Sequence, residues 1–171
     1  MTPSEAFDKA IELDKRIPEL EPIIIKDAEY SYWYALCVIK GRWEIAEPVI
    51  SKDAESSYCY AKYVIKGRWE PGEAAISKDA FHSFLYAKEV IRGRFILGEP
   101  AISKKAYVSY RYARVVIKDR WEPGEAAISK DAIDSYCYAE NVIKGKLPDF
   151  MHNALLLSNH ESAKQYVRFI S

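Results

Sequence analysis

The stretch Gly67–Ala80, GRWEPGEAAISKDA, returns almost letter for letter at Asp119–Ala132, DRWEPGEAAISKDA, 52 residues further on. Half that interval also holds: Glu21, Glu47, Glu73, Glu99 and Glu125 step by 26 residues, and so do Tyr34, Tyr60, Tyr86, Tyr112 and Tyr138. A fixed period of this length marks a tandem array, in which each copy buries its apolar face only by stacking on its neighbours. The expected architecture is all-α: an α-solenoid of five tandem 26-residue helix-pair repeats over residues 21–146. Capping helices are expected over 1–20 and 147–171, and analogy with other α-solenoids makes the superhelix right-handed.

Within each copy the turn chemistry places two helices. The short one is typified by Gly72–Lys78, with Ala75 and Ile76 as apolar anchors. Pro22, Pro48 and Pro100 share one phase in it, which a helix tolerates only in its first turn, where the missing N–H has no partner to lose. Asp27, Asp53, Asp79 and Asp131 fall at the N-cap of the long helix, where a carboxylate accepts orphan N–H groups; Lys105 breaks that pattern. Gly41, Gly67, Gly93 and Gly145 stand at the long helix's end, the place that favours a left-handed residue, with Asp119 there in the remaining copy. Trp43, Trp69, Phe95 and Trp121 follow as plugs between repeats.

Counting from the N-cap as zero at 100° per residue, Ala at 1, Ser at 4, an aromatic at 5, Tyr at 7, Ala at 8 and Val-Ile at 11 and 12 cover one buried arc. Positions 2, 3, 6, 9, 10 and 13 make the exposed arc. At the ends, Thr2-Pro3-Ser4-Glu5 starts a capping helix reaching about Arg16, with Phe7, Ala10, Ile11 and Leu13 inward. Leu147–Leu157 reads as a second cap, and Ser158-Asn159-His160-Glu161 as the capping box of a last helix whose Ala163, Tyr166, Val167 and Ile170 face inward.

Composition narrows the function classes. Lys plus Arg balance Asp plus Glu at 25 each, so no global field draws nucleic acid, although a local patch is possible. No apolar run reaches the roughly 18 residues of a membrane helix, and the charged N-terminus has no secretory apolar core. Cys37, Cys59 and Cys137, an odd number without close spacing, read as free thiols in a reducing cytoplasm. The glycines are all used by the repeat, so none is left for a phosphate-cradling loop. His82, His152 and His160 lack metal-ligand spacing. No nucleophile–base or metal constellation can be assembled, so neither an enzyme nor a cofactor is expected. The acidic ladder Glu21 to Glu125 reads as structural, with Arg42, Arg68, Arg94 and Arg120 as its salt-bridge partners.

The phrase Tyr-Ala-x-x-Val-Ile-Lys-Gly-Arg-Trp-Glu, as at Tyr60–Glu70, resembles repeat proteins of bacteriophages and their bacterial hosts. Their unit is often Trp-Pro-Glu-x-Glu-x-x-Ile followed by Lys-Asp. The likeness covers about Glu21–Lys146, and this chain departs from it in using Trp-Glu-Pro-Gly in two copies. The resemblance implies a phage origin and hence residence in the host cytoplasm; it brings no active site to transfer.

The exposed arc carries two features. Trp33, Cys59 and Leu85 are apolar at position 6, and Phe81, Tyr107 and Ile133 at position 2; Tyr30, Leu36 and Tyr63 lie near one end. Stacked, they form a diagonal apolar band of the kind that marks an interaction surface. The expected partner is another protein, for instance a host or host-defence protein bound by a phage-encoded binder or inhibitor. Self-association through the band stays open. The second feature is a basic ridge of Lys62, Lys66, Lys88, Arg92, Arg111, Arg114 and Lys118, whose alternative partner is nucleic acid.

Overall fold

The structure, a computed structural model, describes all residues Met1–Ser171 and is wholly helical. Helix α1 spans Pro3–Glu12. Each of the next five units is a short helix followed by one that runs on into a π-helical turn and is the longer when that turn is counted: α2 (Glu21–Ile24) with α3 (Ala28–Tyr34), α4 (Glu47–Ile50) with α5 (Ala54–Cys59), α6 (Glu70–Ile76) with α7 (Ala80–Leu85), α8 (Glu99–Ile102) with α9 (Ala106–Tyr112), and α10 (Glu122–Ile128) with α11 (Ala132–Tyr138). α12 (Asp149–Leu157) and α13 (Glu161–Ile170) close the stack. Long helices pack on long helices in sequence order, and each short helix packs on the long helix before it. The result is a two-layer solenoid of stacked repeats.

The largest fully buried side chains fall in two columns at the repeat's phase. One is Tyr34, Tyr60, Tyr86, Tyr112 and Tyr138, continued by Tyr166; the other is Ile24, Ile50, Ile76, Ile102 and Ile128, continued by Met151. The tyrosine column is wired by hydrogen bonds. In the third repeat the Tyr86 hydroxyl accepts from the backbone N–H of Trp69 at 2.8 Å and donates to Glu73 at 3.1 Å, while Arg68 grips Glu73 at 2.7 and 3.0 Å. The same set recurs as Arg16–Glu21–Tyr34, Arg42–Glu47–Tyr60, Arg94–Glu99–Tyr112 and Arg120–Glu125–Tyr138. The first four tyrosine rings also rest on the plug that follows them, with Tyr60 and Trp69 at 4.9 Å. One side chain therefore ties two successive linkers together. The acidic ladder is this lattice, as its pairing with the arginines implied.

The serine at position 4 is equally fixed: Ser31, Ser57, Ser83, Ser109 and Ser135 are fully buried and donate to the carbonyls of the isoleucine column. The plugs Trp43, Trp69, Phe95 and Trp121 are buried, and the three indole N–H groups find no acceptor. Phe95 fills the same place, so the plug needs ring volume and not the N–H. Gly72 is demanded by packing, because a Cβ there would lie 2.7 Å from Ser57 Cβ and from the Trp69 ring.

Four expectations are corrected. First, the left-handed residue at each long helix's end is not the glycine but the basic residue before it: Lys40, Lys66, Arg92, Lys118 and Lys144 have φ of 56–61°. The cause is a π-helical turn over Ala35–Ile39, Tyr60–Ile65, Tyr86–Ile91, Ala113–Ile117 and Ala139–Ile143, which spends one more residue before the chain turns out. Position 8's carbonyl accepts the closing bond, as Ala61 does from Gly67 at 3.1 Å. Second, that wider turn departs from 100° per residue, so Val-Ile at 11 and 12 are half-buried where full burial was expected.

Third, position 3 belongs to the interior: Ser56, Val108 and Asp134 are buried, and Tyr30 and His82 half-buried. A helix inside a stack loses both flanks. The position-5 ring of the preceding repeat lies against position 3, as Tyr58 lies 6.0 Å from His82. Fourth, both end helices are shorter than expected. Asp14 turns left-handed (φ 42°), freeing Arg16 for Glu21 and leaving Ile11 and Leu13 exposed. Asn159 does the same (φ 53°), so His160 and not Ser158 caps α13, and Val167 is exposed.

Candidate protein-binding face

The N-caps fix where the long helices begin. Asp27, Asp53, Asp79 and Asp131 each accept a backbone N–H of the first turn, and Lys105 caps nothing. Position 2 follows directly and points away from the buried flanks. Phe81, Tyr107 and Ile133 there are 50%, 53% and 55% exposed, and Trp33 at position 6 is 39% exposed. The other members of the expected band are less free. Cys59 and Leu85 are half-buried and pack on the core. Tyr30 is half-buried, its ring 5.9 Å from Phe7 of α1, so the cap covers that end. Leu36 is half-buried as well. Tyr63 is exposed but sits under Lys62, whose ammonium lies 4.6 Å from the ring centre.

Two grooves divide this face. One, of about 360 Å³, joins Trp33 and Cys59 beneath a rim of Asp27, Glu29, Asp53 and Glu55. The other, of about 610 Å³, joins Phe81 to Tyr107 across α7 and α9, with Lys78, Lys104 and Lys105 and Asp79, Asp131 and Asp134 in its lining. Leu85 and Ile133 line neither. The structure thus pairs Phe81 with Tyr107 and Trp33 with Cys59; it does not join all six into one groove. Sequence reasoning missed Lys104, Asp131 and Asp134 as walls of the larger groove, since their phases placed them only as turn, cap and exposed-arc residues.

The expected basic ridge is interrupted. Lys62 and Lys88 both reach Glu89, at 2.6 and 3.2 Å, and the Tyr58 hydroxyl donates to the same carboxylate at 2.6 Å. Those hydrogen bonds, Lys62's first and then Tyr58's, hold the Glu89 carboxyl down to about 2 and push Lys62 upward. Arg111 lies over the Phe84 and Tyr107 rings at 5.7 and 5.5 Å, and Arg114 donates to the Tyr110 hydroxyl at 2.9 Å. Lys66, Arg92 and Lys118 are exposed; Lys66 and Arg92 line one groove with Lys62 and Glu89, and Lys118 lines another with Arg114 and Lys144.

The three thiols are half-buried and unpaired by disulfides. Burial pushes those of Cys59 and Cys137 up, so neither offers an activated thiolate. No cluster of His, Cys, Asp and Glu is arranged to hold a metal ion. No helix is long and apolar enough to cross a membrane. Compared with protein-family models, with curated proteins and with solved structures, the chain finds no match in any of them.

Proposed function

We propose that this chain is a non-enzymatic protein-binding α-solenoid that holds its partner on the outer strip of its long helices, centred on Phe81 and Tyr107. The observation that carries this reading is a contrast within one phase. Position 2 is Glu29 and Glu55 in the first two repeats, so the repeat accommodates a charge there. It is Phe81, Tyr107 and Ile133 in the next three, about half exposed. A core requirement would apply to every copy. Exposed apolar side chains that the fold does not need are the ordinary sign of a surface that a partner covers.

The lining of the two grooves supports a partner of matching chemistry. An apolar segment with basic residues toward Asp27, Glu29, Asp53 and Glu55, and an acidic residue toward Lys104 and Lys105, matches both. On the resemblance to phage repeat proteins, that partner is a bacterial host protein, with a component of host defence as the specific candidate. Burying a Phe or a Tyr ring contributes about 1.5–3 kcal/mol before association costs.

The test is Phe81→Glu with Tyr107→Glu, the residue the first two copies already use. The melting temperature should stay within a few degrees of the parent, and the host protein retained by the parent chain, identified by mass spectrometry, should be lost. Capture should survive raised salt. Retention by the double variant, or capture that falls steeply with salt and follows Lys66, Arg92 and Lys118, would instead place the contact on the cations and favour a nucleic acid.

A further inference from the structure

Every long helix inside the stack is covered on both flanks, and the position-8 alanines Ala35, Ala61, Ala87, Ala113 and Ala139 have no exposed surface. α13 stands where a sixth long helix would. It packs on α11, and its Tyr166 hydroxyl accepts from the backbone N–H of Leu147 at 3.0 Å, as Tyr138 accepts from Trp121. Nothing in the chain covers its far flank. Val167, which follows Tyr166 as the alanine follows each repeat tyrosine, is 43% exposed. Beside it a groove of about 450 Å³ has Leu156, Ala163 and Val167 as its apolar lining and His160, Lys164 and Arg168 as polar and basic lining. Lys164 shares its charge with Glu161 at 3.0 Å, whereas Arg168 has no ion pair within the chain.

The opposite end of the stack carries the complement. α1 buries Ala6 and Ala10 against the first repeat. At helical spacing that turns Glu5, Asp8 and Glu12 to the opposite face. Ile11 and Leu13 are exposed at its C-terminal end, Ile11 one turn from Asp8. The outer face of α1 thus carries Asp8 and Glu12 beside protruding apolar side chains, with Glu5 shared with the N-terminal ammonium at 3.8 Å and Lys9 on the helix flank, and α13 presents a basic-rimmed apolar groove.

We propose that α1 of a second copy of this chain seats along α13, so that copies join head to tail and continue the stacking of the repeats from one molecule into the next. Opposite charge at the two ends sets the polarity of the contact. The flank that α13 leaves open is the one each internal long helix gives to its successor, so the occupant it suits is another helix of this array. Because the two surfaces differ, the contact is heterologous and does not close on a dimer. It uses neither Phe81 nor Tyr107 and stands apart from the partner-binding reading above.

Sedimentation velocity of the full chain over low to high micromolar concentration tests this. The weight-average mass should rise with concentration past that of a dimer, and raised salt should reduce it. Lys164→Glu with Arg168→Glu should hold the chain at monomer mass with an unchanged melting curve, and so should Asp8→Lys with Glu12→Lys. An equimolar mixture of the two variants, in which each supplies the end whose charges the other has reversed, should associate again. Monomer mass for the parent chain at every concentration overturns the proposal. So does association that survives both end variants, or association that is lost on Phe81→Glu, which would move the contact to the long-helix face.

Discussion

Tyr86 shows what a single residue does in this fold. Its ring fills the column between two long helices, and its hydroxyl both satisfies the buried N–H of Trp69 and orients Glu73 for Arg68. Burial pushes that hydroxyl up to about 12, so it stays protonated and remains a donor to the carboxylate. Tyr86→Phe keeps the ring and strands the Trp69 N–H, while both Glu73 oxygens keep Arg68. The expected cost is about 1–3 kcal/mol, read as a lower denaturation midpoint with an unchanged slope. A neutral outcome would mean that the hydroxyl's bonds are replaceable.

Glu89 gives a pH-dependent counterpart. Its carboxyl is held at about 2, against an ordinary 4.5. A depressed carboxylate contributes stability that is full above its unfolded value and is lost as pH falls through its folded value. Being partly solvated, the cluster is expected to contribute only about 1 kcal/mol. Glu89→Gln should therefore melt below the parent at neutral pH, and the two curves should converge between pH 4.5 and 2. A gap that stays constant across that window would remove the ion cluster as its cause. The sequence displayed Tyr86, Glu73 and Arg68 as periodic letters. Glu89 was invisible to periodicity, because position 10 changes in every copy and its partners Tyr58 and Lys62 lie on the neighbouring helix.

At the scale of the element, each long helix is a fusion of an α-helical first half and a π-helical last turn that ends on a left-handed Lys or Arg. A non-glycine residue in that conformation costs roughly 1–2 kcal/mol, and a cation at a helix C-terminus regains about 0.3–1. Capping at the other end is cheaper to probe. Lys105 is the one N-cap among the long helices without a side-chain bond to the first turn. Lys105→Asp should raise stability by about 1 kcal/mol, seen as a higher melting temperature; no gain would show that α9 begins differently from its sister helices.

The caps of α1 and of the long helices were legible because Thr, Asp and Pro act within four residues of themselves; that of α13 was not, because the left-handed Asn159 moves the cap from Ser158 to His160. The π-turn was not, because Ala-x-x-Val-Ile-Lys-Gly suits an α-helical Schellman ending equally well. The error then spread. A wheel drawn at 100° assigned full burial to Val-Ile at 11 and 12. It also assumed one covered side, so it left position 3 outside, where in the stack each helix is enclosed from both.

For the whole molecule, stability is a sum over repeats and the interfaces between them. The stack was readable from one chain because five copies supply their own comparison: invariant phases marked the core, and varying phases marked what the core does not require. The same logic singled out Phe81 and Tyr107, which the structure places in one groove. It did not reach the covering of Tyr30, since the helix that covers it belongs to no repeat, or the pairing of Lys62 with Glu89, since that pair runs between helices. The most direct measurement of the repeat account is a deletion in phase. Removing Gly67–Arg92, 26 residues, joins Lys66 to Gly93 as it was joined to Gly67, so every remaining tyrosine keeps a glutamate, an arginine and a linker N–H. Small-angle scattering combined with thermal melting should show a folded helical chain with a cooperative transition, lower in stability and shorter by one helix-stacking distance, about 8–10 Å. An unfolded chain after that deletion, or an equally well folded one after removing the 13 residues Gly67–Asp79, would contradict it.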